Sequence, residues 1–437
     1  MSKRWVVWLA VIGFVASCTQ ELAPRKETPV VETNRETAPT QETAPPEAAL
    51  HVGAATAPIN PENGTWLAGY SPSRRSTEVH DNLYAKAVVF NDGKTPVALV
   101  TLDSLGTMYD TIQQIRARAA KKVKGIDLPA ERVIVQSTHT HCSPDVIGIY
   151  GPDQATCGRD PKYMNLLIET ASNQVAQAAE ALQPATLAYT TAEGMEWAVN
   201  DSEPGVIDRT AVILQCSGSD GEPVVTLTNF ACHPTVLDGD TSEVSSDWVG
   251  AFYKTMSENM KGEHLFLQGS VGGWIQPLTP ERTFALAEQY GVDLAQQVLK
   301  ALKNTIPVKG TEIRFAHKVF AMPNSNESFK QMSLAGLVPR PLGDTIETEV
   351  AWFAVGSAQF ATHPGETAPA FTWATRDLMD TEPKFVLGLG LDQLGYIVKT
   401  DYFDNTERYK FAEYLTEMSP GREAGPALMA ALEAIVP

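Results

Sequence analysis

From about Gly53 the chain is a succession of short apolar runs bounded by turn signals, alternating with longer segments whose apolar residues recur at three- and four-residue spacing. YAKAVVF and PVALVTLD flank Asn91-Asp92-Gly93, an Asp-Gly turn signal, and predict a hairpin. TIQQIRARAAKKV and YMNLLIETASNQVAQAAEAL predict helices on either side of the strand ERVIVQST. RTAVILQC and PVVTLTNFAC predict paired strands across SGSDGE, followed by a helix from about Asp247, a strand HLFLQG and a helix RTFALAEQYGVDLAQQVLKAL. TEIRFAHKVF, EVAWFAVG and AQFATHP add strands, Glu366 is expected to open a helix, and KFVLGLG leads to a loop and a helical tail. Such interleaving predicts an α/β fold of mixed β-sheets layered with helices. With no linker or repeat after residue 53, residues 53–437 are expected to form one domain.

The first residues differ in kind. Lys3 and Arg4 precede an apolar stretch too short to span a membrane comfortably, and Val15-Ala16-Ser17-Cys18 resembles a bacterial lipobox. That resemblance implies a lipoprotein signal peptide over 1–17 and an exported protein held in the bacterial cell envelope through lipidated Cys18. Residues 18–52 are rich in Pro, Thr and Glu, repeat ETAP, and hold too few large apolar residues to offset their ordering entropy. They read as a disordered tether reaching at most on the order of 100 Å. A formal charge of -18 argues against nucleic acid as a partner.

Chemistry gathers where strands run out. QSTHTHCSPD places His139 and His141 two residues apart, and an extended backbone would turn both to one side. FACHPT carries His233, THPGE carries His363 and Glu366, and LGYIVKT carries Tyr396, so four of the eight histidines lie in such loops. Open α/β folds gather ligands at strand ends. Two histidines and a carboxylate form a catalytic zinc set that leaves room for water. Each histidine alone reads equally as a hydrogen-bonded core or loop residue. Asp247, in SSDWVG, reads either as a proton donor or as the cap of the helix it precedes. Trp248 and Trp274 either line an acyl pocket or simply pack. Cys142 and Cys157 bracket a loop that a disulfide would close, and Cys142 and Cys232, each beside a histidine, raise a thiolate metal site as an alternative.

The order and spacing of HDNLYAKAVVF, STHTHCSPD, NFACHPTVLDGDTSEVSSDWVG, HPGETAPAF and GYIVKT resemble the catalytic domain of the neutral, non-lysosomal ceramidases, from about Ala54 to the end. The resemblance implies a zinc amidase that splits the N-acyl bond of ceramide or a related lipid. It makes His139, His233, Glu366 and Tyr396 the zinc ligands and His141 a substrate contact acting as hydrogen-bond donor or acid. Tyrosine is an uncommon ligand, so a phenol merely hydrogen-bonded beside the metal is the other reading of Tyr396.

Two departures stand out. Family members carry Asn-x-Gly-Asp-x-Ser-Pro-Asn with a serine assigned to catalysis; here the run is GSVGGWIQP, with Gly273 for the Asp and Ile275 for the Ser. Isoleucine cannot be a nucleophile, and Ser270 lacks a nucleophile elbow, so water-based hydrolysis fits better than a covalent route. Family members also carry a further β-rich domain beyond the catalytic one, whereas this chain ends about forty residues past Tyr396; the expected lack of that domain weakens the inference to long-chain ceramide. A metal-dependent esterase or lactonase, and a non-catalytic lipid-binding lipoprotein, are the readings set against the amidase.

Overall fold

The computed structural model describes residues 50–437. The lipobox-like segment and nearly all of the tether lie outside the described residues. Contacts gather the described residues into one compact unit. Its first strand is His51–Pro58, two residues ahead of the expected boundary. Among the described residues no helix is long and apolar enough to cross a membrane.

The main sheet has nine strands. Its spatial order is Val133–Ser137, Val97–Leu102, Tyr84–Asn91, His51–Pro58, Gln183–Ala192, Ala211–Gly218, Pro223–Phe230 and Glu263–Gln268, with Ile306–Pro307 paired on Gln183–Ala192. The Asp-Gly hairpin forms as expected, Phe90 pairing with Val97. Neighbours are antiparallel except at the two ends, where 97–102 runs parallel to 133–137 and 223–230 parallel to 263–268. Parallel neighbours need a crossover, and the helices Tyr109–Lys122 and Trp248–Asn259 supply the two. Residues 97–102 and 133–137 are buried throughout, as their continuous apolar runs require when both faces are covered. Elsewhere the period of two operates: Leu214, Leu227 and Leu265 enter one core, while Ile213, Phe230 and Phe266 face the helices Trp248–Asn259 and Phe284–Ala301.

The sheet's two ends are brought together. Thr101 Oγ1 donates to Phe266 O at 3.0 Å and Gln268 Nε2 donates to Thr138 O at 2.8 Å. A second sheet orders Ile313–Pro323, Thr345–Val355, Ala358–Thr362 and Lys384–Leu387, its last two strands parallel through the helix Pro369–Leu378. Asn229 Nδ2 joins the two sheets, donating to Leu267 O at 2.9 Å and Val386 O at 3.2 Å. These three parallel pairs therefore deliver their carboxyl ends to one region.

Two expectations are corrected here. Glu366 does not open a helix: the helix starts at Pro369, and Glu366–Thr367 pairs in parallel with Tyr396–Ile397. Proline at the first helical turn sets that start, because its missing N–H would be unpaired there anyway. The Cys142–Cys157 bond is absent, for all four described cysteines are free, with Cys142 buried and Cys157 exposed.

Candidate metal centre

The strand Val133–Ser137 ends before the first histidine, so strand alternation is not what pairs the rings. His139 adopts φ 73°, a left-handed backbone that histidine tolerates better than most side chains. Main-chain bonds from Thr138 N to Leu102 O and from His139 N to Ser104 O, each 2.9 Å, hold the turn. His139 Nε2 and His141 Nε2 thereby lie 3.4 Å apart. Gly69 completes the wall, because with φ +104° it leaves no Cβ where the nearest atom of the His141 ring would be 2.5 Å away.

His233 follows Pro223–Phe230, and its ring centroid is 4.8 Å from that of His139. The Nδ1 of His139 donates to Leu105 O, and that of His233 donates to Ile275 O at 2.5 Å. A carbonyl only accepts, so the proton of each ring sits on Nδ1 and the Nε2 lone pair faces inward. Glu366 Oε2 meets both, 3.3 Å from His139 Nε2 and 3.2 Å from His233 Nε2. Three lone pairs converging this closely need positive charge between them. Zinc–nitrogen and zinc–oxygen bonds of about 2.0–2.1 Å in a tetrahedron set ligand atoms about 3.3 Å apart, so the donor set fits such an ion.

His141 differs from its two neighbours. All three imidazoles can reach one ion, their ligand atoms lying within 4.8 Å of one another. Yet His139 and His233 are buried whereas His141 is only half-buried, and its Nδ1 has no hydrogen-bond partner among the described residues. Burial, reinforced by the other two imidazoles, holds its pKa well below the usual histidine range. Burial alone would push the Glu366 carboxyl up, but positive charge on the His139 and His233 side of it outweighs burial and holds that pKa well below the carboxylate range. Tyr396 is buried beside Glu366; burial first, then the Glu366 charge, raises its phenol well above its ordinary value.

The remaining expected residues are placed less centrally. Asp247 Oδ1 accepts from Trp248 N at 2.7 Å and Val236 N at 3.3 Å, and its Oδ2 accepts from Leu237 N at 2.9 Å. Both oxygens thus serve main-chain amides, which makes Asp247 the helix cap and gives the proton-donor expectation no geometric support. His363 bonds Thr367 Oγ1 at 2.7 Å and Thr375 Oγ1 at 2.9 Å, bracing the turn beside Glu366 rather than touching the carboxylate. Ser270 Oγ closes the same network on Thr367 Oγ1 at 2.8 Å. Trp248 is buried and donates to His233 O at 2.9 Å, while Trp274 stacks on Phe411 at 4.6 Å. Ile275 is buried with Val271 and Leu389 and offers the site its carbonyl, not its side chain.

A cavity of about 80 Å³ leads from His139, His141 and Glu366 between apolar side chains that include Met108, Ile147, Phe329, Met332, Leu342 and Ile346. Neither tryptophan lines it. Residues that sequence reasoning missed stand here: Gln393 Nε2 donates to Glu366 Oε1 at 3.2 Å. Asp392 before it accepts from Arg340 Nη1 at 2.8 and 2.7 Å and from Thr348 Oγ1 at 2.8 Å, all buried. Their only sequence signal is an Asp-Gln pair inside the glycine-rich run GLGLDQLGY.

No protein with a curated description matches the sequence significantly. Among solved structures, neutral ceramidase from Pseudomonas aeruginosa shares the fold with a TM-score of 0.74 at 16% identity, over 89% of this chain and 74% of that one. A ceramidase complexed with C2 gives 0.73 at 15% identity, over 89% and 75% of the respective chains. The family model for the N-terminal region of neutral/alkaline non-lysosomal ceramidases matches residues 51–280, more than half of the chain, which therefore belongs to the neutral/alkaline non-lysosomal ceramidase family.

Proposed function

We propose that this chain is a zinc-dependent hydrolase that cleaves the N-acyl amide bond of ceramide or a related N-acyl lipid. The observation that carries the reading is the pair of imidazoles at His139 and His233, each locked by a main-chain carbonyl and turned with Glu366 toward one point at the end of an apolar cavity. His139, His233, Glu366 and Tyr396 hold the ion. Zinc there supplies Lewis acidity, polarising an acyl carbonyl and making water a competent nucleophile at neutral pH. The cavity takes the acyl chain.

His141 faces the substrate. Its Nδ1 is tied to no carbonyl, so no main-chain acceptor fixes its tautomer, and the ring can donate to the oxyanion of the tetrahedral intermediate, a contribution of about 3 to 4 kcal/mol for a well-placed donor. The same ring relays a proton to the leaving nitrogen. Ile275 at the position of the family serine supports attack by water over a covalent route. The lipobox-like Cys18 supports anchoring in the bacterial envelope, where lipid substrates are met at a membrane surface.

The test is zinc content and hydrolysis by the purified protein beside its His233→Ala variant, on matched N-acyl amides and esters. About one zinc per chain, lost in the variant together with amide cleavage, is expected. A folded wild type that takes up no zinc and cleaves neither substrate overturns the reading. Replacing Cys18 by Ala is expected to move the protein from the membrane to the soluble fraction.

A further inference from the structure

The Gln393 amide is engaged at one end only. Its Nε2 donates to Glu366 Oε1 at 3.2 Å. A carboxylate repels an acceptor, so the nitrogen must be the end that faces Glu366, and the carbonyl end is turned away from it. That Oε1 is buried without a hydrogen-bond partner among the described residues, although Gln393 as a whole is only 8% exposed and lines the cavity beside His139 and Glu366. A buried polar atom left unpaired is costly, and in a substrate cavity it marks where a ligand supplies the partner.

The surroundings hold this amide in place. Gln393 N donates to Asp392 Oδ1 at 2.9 Å, and Asp392 is itself anchored by Arg340 and Thr348. Gly106 packs against the stem, where an added Cβ would lie 2.6 Å from Gln393 Cγ, so the chain has no room there for any larger residue.

We propose that Gln393 is a specificity-determining residue whose carbonyl oxygen accepts a hydrogen bond from the N–H of the substrate's scissile amide. This deepens the hydrolase reading and rests on it. Attack at the carbonyl leaves that N–H intact, so the contact is available in both ground and transition states. An oxygen ester has no N–H and would leave Oε1 unpaired, and sites built around such a bond discriminate strongly against the analogue that lacks it. One planar side chain thus performs two tasks, orienting Glu366 with its nitrogen and selecting amides with its oxygen.

The test crosses one substrate change with one residue change. The full chain loaded with zinc, and its Gln393→Met variant, are assayed on an N-dodecanoyl amide of a 2-amino-1,3-diol and on the matched oxygen ester. Loss of the contact to Glu366 affects both substrates and appears in zinc affinity, measured by chelator competition. Loss of the N–H acceptor affects the amide alone. The expected result is an amide kcat/KM that falls about 10- to 100-fold further than the ester kcat/KM. A wild type measured on the N-methyl amide, which also lacks the N–H, is expected to lose the same increment and needs no folded variant. Equal losses on amide and ester overturn this inference alone, and a wild type that cleaves neither overturns the hydrolase reading and this inference with it.

Discussion

The two walls of the site are held by different means. His139, His141 and His233 come from the part of the chain that the family model matches, and the main chain aims the two locked rings through the carbonyls of Leu105 and Ile275. Glu366, Gln393 and Tyr396 come from beyond residue 280; one short main-chain pairing joins Glu366 to Tyr396, and side chains supply the remaining support: Gln393 on Glu366, Arg340 and Thr348 on Asp392, His363 on Thr367. The first wall is set by strand ends that cannot move without unmaking the sheet. The second wall, which also carries most of the apolar cavity, depends on individual residues, and substrate choice is expected to reside there.

Four substitutions press on this contrast. Replacing His233 by Ala removes a ligand from the rigid wall; activity is expected to fall at least about 1,000-fold with zinc content, while circular dichroism stays that of the wild type. Survival of metal binding in that variant would show that His233 is not needed to hold the ion. Arg340→Met leaves Asp392 as a buried, uncompensated charge and is expected to cost about 3–5 kcal/mol in denaturant unfolding. A cost below about 1 kcal/mol would show that the second wall is not held by this pair.

Leu342→Trp fills the cavity without touching a polar group. Cleavage of a long-chain substrate is expected to drop about 10-fold relative to a short-chain one, and an unchanged ratio would place the acyl chain elsewhere. Asp247→Asn is the mildest, costing about 1 kcal/mol of stability with kcat within about twofold of wild type. A large loss of kcat would restore the proton-donor role. Burial lifts the Asp247 carboxyl to about 7 in the folded state. The folded state thus holds that proton more tightly than the unfolded one, and the group's contribution to stability is lost as pH rises from about 4 to about 7, a slope the variant should lack.

Much of the first wall was legible in the sequence because it follows from periodicity. Continuous apolar runs marked the fully buried strands, helical spacing marked the crossovers, and histidines just past the runs marked the strand ends. The left-handed turn at His139 was not legible: extended alternation predicted the right neighbours for the wrong reason. The second wall was read less well. Glu366 looked like a helix start because PAFTWATRDL follows so closely, whereas its backbone pairs with Tyr396, a contact between residues thirty apart that no local pattern encodes. Gln393 and Asp392 stayed invisible for the same reason, since an Asp-Gln pair acquires meaning only when Glu366 and Arg340 are beside it.

The carbonyl of residue 275 has an evolutionary consequence. Every amino acid carries a carbonyl, so the feature that orients His233 places no demand on which side chain stands at 275. Packing with Val271 and Leu389, and not the chemistry of the site, limits what stands at 275, so the position can change through mutation as long as that space is filled and the backbone keeps its path. The chemistry offered by that side chain can therefore change while the imidazole across from it goes on pointing the same way.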